Sequence, residues 1–209
     1  MSVRPATLFL RLALRRAARG TGSQQAFFER RTAMQALPPL QQILGTIPWV
    51  LVGGLALRAY IPERMTLDIG ILIHEHDGDA ARQALSNAGY QMSGPLSIGG
   101  FSLQAADPAT PPLDILTRTD AWVDEALAHP IYDAAGYPVL ARPYLILLKL
   151  SAGRTQDLAD VQRLVAYTSE DERNAYRILV AQEAPELSED LEALFTLADL
   201  EFGAKEEGA

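Results

Sequence analysis

"RMTLDIGILI", residues 64 to 73, decides how the rest of this 209-residue chain is read. Side chains alternate across a strand, so Asp68, Gly70 and Leu72 share one face while Leu67, Ile69 and Ile71 share the other. The isoleucine face is expected to be core. Asp68 then begins the opposite face of an otherwise apolar strand, a costly place for a carboxylate unless that end of the sheet opens into a wet cleft. "PPLDILTRT", residues 111 to 119, repeats the pattern with Asp114 between Leu113 and Ile115. Two isolated aspartates that start two apolar strands converge if the strands are neighbours. A close pair of carboxylates is how hard divalent ions are held beside substrate phosphates.

Working outward, "PWVLVGG" (48–54) predicts a buried strand closed by a tight turn at Gly53 and Gly54, where backbone can approach a phosphate closely. "LALRAYI" (55–61) has the look of a helix leaving that turn. Ahead of it, "AMQALPPLQQILG" (33–45) predicts a short helix interrupted at Pro38 and Pro39 and ended by Gly45. "DGDAARQALSNAGY" (77–90) predicts a helix with Asp77 or Asp79 near its N-cap and Gly89 at its end. "FSLQAAD" (101–107) is a strand separated from the Asp114 strand by the turn "PATPP", and "PIYDAAGYPVLA" (130–141) a hairpin around Ala135 and Gly136. "RPYLILLKLSAG" (142–153) starts with Pro143 at a suitable first helical position and is apolar nearly all round, hence a buried helix. "TQDLADVQRLVAYT" and the acidic stretches from Ser169 to Phe202 complete a helical C-terminal half. This order predicts an α+β fold: a mixed β-sheet with helices packed over one face, followed by a C-terminal helical region. The expected divisions are a flexible basic arm over 1–33, an α/β core over 34–142 and helices over 143–209.

With 48% hydrophobic residues the chain can build a sizeable core. It has no cysteine, which excludes a disulfide framework, a thiolate zinc site and a cysteine nucleophile, and suits a reducing cytoplasm. No segment approaches the apolar length of a membrane span, so stable membrane insertion is not expected. Residues 1–31 hold seven arginines against the single acid Glu29, about +6, so with a total of −8 the other 178 residues carry about −14. Such an acidic body repels bulk nucleic acid, and an RNA role would need the arm. "TLFLRLALRRAARG" (7–20) reads as an amphipathic basic helix for a membrane surface or an acidic partner, as a transit peptide, or as a plain disordered tail.

Together the glycine pair, the turn with Arg64, Thr66 and Asp68, the "LDIL" strand and "YLILLKLSAGRTQDLADVQRLV" (144–165) resemble the nucleotidyltransferase superfamily with the polymerase-beta-like fold. The resemblance is to its minimal and AbiEii-like members of bacterial toxin-antitoxin systems, and covers residues 34 to 168. It implies that Gly53 and Gly54 cradle a triphosphate, that Asp68 and Asp114 bind Mg2+ or Mn2+, and that Asp114 lies near the acceptor hydroxyl. Arg64 and Thr66 would shape the turn beside the phosphates, with Lys149 approaching them from its helix. The implied activity is transfer of a nucleoside monophosphate from an NTP to RNA, protein or a small-molecule hydroxyl.

Two departures cut against full activity. Leu55 stands where the family places a serine or threonine after the glycines, and Gly70 where it places the second acid of Asp-x-Asp or Asp-x-Glu. Two-metal phosphoryl transfer needs bridging carboxylates, so weak metal binding is expected. The alternative is an inactive member of the fold that binds a nucleotide or a partner protein, such as a toxin-antitoxin component. Each site residue also has a plainer role open to it. Asp68 can orient the turn with Arg64 and Thr66, Asp114 suits a proline turn, the glycines suit any strand-to-helix bend, and Lys149 can meet Asp157 or Asp160. His74, His76 and His129 are too scattered to predict a metal site.

Overall fold

The computed structural model describes residues 4–20, 37–62, 66, 68–107 and 110–203. The chain divides into two compact units, one of Arg31–Ala59 and Glu63–Ala141, the other of Met1–Arg30, Tyr60–Pro62 and Arg142–Ala209.

The first unit is built on a sheet. Its elements run α2 (Leu40–Leu44), β1 (Val50–Val52), α3 (Gly53–Ala56), β2 (Ile69–His74), α4 (Gly78–Asn87), β3 (Tyr90–Pro95), β4 (Phe101–Ala105), β5 (Leu113–Arg118), α5 (Trp122–Ala128), β6 (Ile131–Tyr132) and β7 (Pro138–Val139). The seven strands lie in the order β3-β4-β5-β2-β1-β7-β6. β2 pairs antiparallel with β1 and parallel with β5, and β1 pairs parallel with β7, so the sheet is mixed and the fold α+β.

β2 sits at the centre because it can be dry on both sides. Ile69, Ile71 and Ile73 are buried on one face and Leu72 on the other, so the second face is core rather than open except at its end. Helix α4 covers the isoleucine side: Arg82 stacks 4.8 Å over the Phe101 ring, and Gly78 lies against Thr117. On the Asp114 side, Asp124 of α5 comes within 3.9 Å of His74 at the far end of β2. Helices therefore meet both faces of the sheet, not one.

Two elements carry weak sequence signals. β3 is an edge strand with Gln91, Met92 and Ser93 exposed and Pro95 at its end, where a missing N–H is tolerated. α5 is only two turns long, and buries Trp122, Val123 and Ala126. The hairpin at Ala135 is as expected: the Asp133 carboxylate accepts the N–H groups of Ala135 and Tyr137, both at 2.9 Å, and Gly136 takes φ +81°.

The second unit is helical: α1 (Pro5–Leu14), α6 (Arg142–Ala152), α7 (Thr155–Leu164), α8 (Glu170–Glu183) and α9 (Ser188–Phe202). In α8 a capping box joins Ser169 and Glu172. The basic arm, expected to be flexible, is helical over Pro5–Leu14. It buries Leu10 and Thr7, Thr7 donates to the buried Asp190 at 2.8 Å, Arg4 pairs with Asp190, and Arg11 pairs with Glu189 at 2.6 Å. The acidic helix α9 thus takes up charge that the sequence leaves for an outside partner. Among the described residues no helix is long and apolar enough to cross a membrane.

Candidate functional site

One end of the sheet brings Asp114, Gly70 and the bend at Gly53 close together. In β2 and β5 the register sets Gly70 beside Asp114, and on the other side Gly70 pairs with Val52, the last residue before Gly53 and Gly54. Register partners point to the same face, so Asp114, Gly70 and Val52 form one row across three strands. Asp68 lies two residues before Gly70, in a bend at the mouth of β2, where the Ile69 N–H donates to Pro112 at 2.9 Å. Asp68 thus leads into β2 at the end of the strand where Gly70 and Asp114 lie.

Their surroundings differ. Asp68 is exposed, and its Oδ1 accepts the Thr66 hydroxyl at 3.1 Å, which holds the side chain over the turn. Thr66 thus takes the orienting role that the sequence offers it. Asp114 is half-buried, and no described residue hydrogen-bonds its carboxylate. Gly53 closes β1 with φ +67° and has open space where a Cβ would stand, so the main chain there is accessible as a side-chain-bearing residue would not be. Leu55, in place of a hydroxyl residue, is buried. Arg64 lies outside the described residues.

Lys149 belongs to the helical unit. Its ammonium is buried, donating to Asp160 at 2.7 Å and Asp157 at 3.2 Å, while Arg154 donates to Asp157 at 2.6 Å. It takes the carboxylate partners that the sequence offered as the alternative to a phosphate.

The donor set suits a hard cation in part. Two oxygen-bearing acids at a solvent-reached edge match the ligands that Mg2+ or Mn2+ accepts alongside water. Among the described residues no group of three or more His, Asp or Glu side chains is placed to hold a metal. The gap falls at Gly70, where a Cβ would lie 3.2 Å from Val52 Cγ2. An acid added there must push Val52 aside. Gly70→Asp combined with Val52→Ala is therefore expected to bind Mn2+ about tenfold more tightly than the unaltered protein, because a third carboxylate raises the site's charge. Isothermal titration checks this. Equal affinity would show that position 70 does not face the ion.

Ser102 is a site residue that the sequence does not single out. It pairs with Asp114 from β4 and so projects on the same face. Its only sequence signal is its place between the buried Phe101 and Leu103.

No protein-family model matches the chain, and no curated protein matches it. Solved structures do. The chain is similar to ANT(2'')-Ia in complex with adenylyl-2''-tobramycin, with 18% identity over 75% of this chain and 92% of that one and a TM-score of 0.44. It is also similar to the lincosamide antibiotic adenylyltransferase LnuA, lincomycin-bound, with 17% identity, coverage of 58% and 88%, and a TM-score of 0.42. A third likeness is to the Megavirus polyadenylate synthase, with 8% identity, coverage of 93% and 44%, and a TM-score of 0.35.

Proposed function

We propose that this protein is a nucleotidyltransferase-like protein that binds an NTP with one divalent ion at the Asp68–Asp114 end of its sheet. The register that sets Asp114 beside Gly70, and Gly70 beside Val52 just before the diglycine bend, supports the proposal, with Asp68 two residues before Gly70. In this reading the open backbone at Gly53, with Gly54 after it, faces the phosphates, Thr66 holds Asp68 in position, and Asp68 with Asp114 holds Mg2+ or Mn2+. The ion, when bound, supplies charge neutralisation at the phosphates.

The transfer this supports is attack by an acceptor hydroxyl oxygen on the α-phosphorus. The new P–O bond forms as the bond to the β-phosphate oxygen breaks, and pyrophosphate leaves. The half-buried Asp114 carboxylate, free of other described partners, receives the hydroxyl proton. Acceptors of this chemistry are RNA, a protein hydroxyl or a small-molecule alcohol.

A second reading is favoured by one observation: position 70, where a bridging acid would stand, carries glycine, and a Cβ there would crowd Val52 at 3.2 Å. On that reading the same site binds a nucleotide without turning it over, as a sensor or as a surface for a partner protein.

Labelled NTPs with Mn2+ and total RNA separate the two. Transfer predicts labelled product, lost in both Asp68→Ala and Asp114→Ala. Binding alone predicts no label but a nucleotide-dependent rise in melting temperature, lost in the same variants. If neither variant changes either signal, the site is misplaced.

A further inference from the structure

An ion on Asp68 and Asp114 has two protein carboxylates and, at Gly70, no third. The sheet offers a replacement on the other flank of Asp114. We propose that Ser102 supplies the third protein oxygen, its hydroxyl binding the ion that Asp114 holds. This rests on the metal-and-nucleotide proposal above.

The register fixes the geometry. Ser102 is the direct antiparallel partner of Asp114, and such partners carry Cβ atoms about 4.5–5.5 Å apart on the same face. That separation lets one ion of about 2.1 Å bond length touch a carboxylate oxygen and a hydroxyl oxygen together. Ser102 is half-buried, and no described residue hydrogen-bonds its hydroxyl. A serine hydroxyl has lone pairs that can bind a hard cation beside a half-buried carboxylate.

The two flanks of Asp114 are also unequal in space. On the Gly70 side, a Cβ would meet Val52 at 3.2 Å. On the Ser102 side, the next residue in the row is Gly94 of β3, and a Cβ there would meet nothing within 4 Å. The row Gly94, Ser102, Asp114, Gly70, Val52 is therefore open at the serine end and shut at the valine end. The open end of the row is the one on the Ser102 side of Asp114. The serine is neutral, so it completes the coordination without restoring the charge of the missing acid.

Mn2+ titrated into the intact protein, with the free ion followed by its paramagnetic resonance, tests this without turnover. Ser102→Ala is expected to weaken Mn2+ binding about tenfold, Ser102→Thr to keep it, and Ser102→Asp to strengthen it about tenfold. Melting temperatures confirm that each variant folds. Should Ser102→Ala not fold, the threonine and aspartate variants decide alone, because the first keeps the hydroxyl and the second exchanges it for charge. If Asp114→Ala abolishes binding while neither Ser102→Ala nor Ser102→Asp shifts it, Ser102 is not a ligand and the Asp68–Asp114 site stands. If the unaltered protein takes up no Mn2+, the site itself fails and Ser102 with it.

Discussion

Gly100→Ala is expected to damage this protein more than a methyl group ordinarily would. Gly100 opens β4 with φ +99°, a conformation that side-chain-bearing residues rarely adopt. A Cβ there would overlap the Ile115 carbonyl oxygen and press on the Ile115 carbonyl carbon and the Thr117 nitrogen, each at 3.0 Å. These are backbone atoms of a central strand and cannot swing away. Backbone strain and overpacking each cost about 1–3 kcal/mol, so about 3 kcal/mol or more is at stake, against a total stability of about 5–15 kcal/mol. For a chain of this size that corresponds to a melting temperature roughly 6–12 °C lower. Gly94→Ala is the control, since its added methyl group would meet open space. A Gly100→Ala protein melting within a degree of the original would mean that β4 does not approach β5 as closely as described.

The second large effect is expected at Lys149→Met. Lys149, Asp157 and Asp160 are 3%, 2% and 2% exposed, and the lysine is the shared donor between the two acids. With Arg154 on Asp157 the cluster balances two cations against two anions. Methionine fills much the same volume but leaves Asp160 and Asp157 buried with one fewer cation. Breaking a buried ion pair by removing one partner costs about 3–5 kcal/mol. Replacing Lys149, Asp157 and Asp160 together by apolar residues is expected to recover most of that loss, because no charge is then stranded. Chemical denaturation of the single and triple variants reads both. If the single variant is as stable as the original, the ammonium is not the group that neutralises these acids.

What the sequence revealed and what it hid follow from the range of each interaction. β2 and β5 were readable because their isoleucines and leucines leave few other ways to be buried, and Asp68 and Asp114 stood out against that background. The hairpin at Asp133 and the cap at Ser169 are local, set by a side chain and the backbone within four residues. The edge strand β3 has neither alternation nor β-branched residues, and owes its pairing to β4. Ser102 has no local signature at all. Its place beside Asp114 depends on which strands become neighbours and in what register, and neither is written in a window of ten residues. The docking of the basic helix α1 on Asp190 joins positions 183 residues apart and was hidden for the same reason.

The parallel pairing of β2 with β5 also constrains how the chain comes together. Ile69 lies beside Leu113, 44 positions later, whereas β1 and β2 close an antiparallel pair soon after they emerge. At a synthesis rate of about 5–20 residues per second, the greasy middle ribbon waits several seconds on the ribosome with one edge bare. Closing so long a loop adds to the delay. Growth at lower temperature or chaperone overproduction should therefore raise the yield of folded material even for variants whose final stability is unaltered.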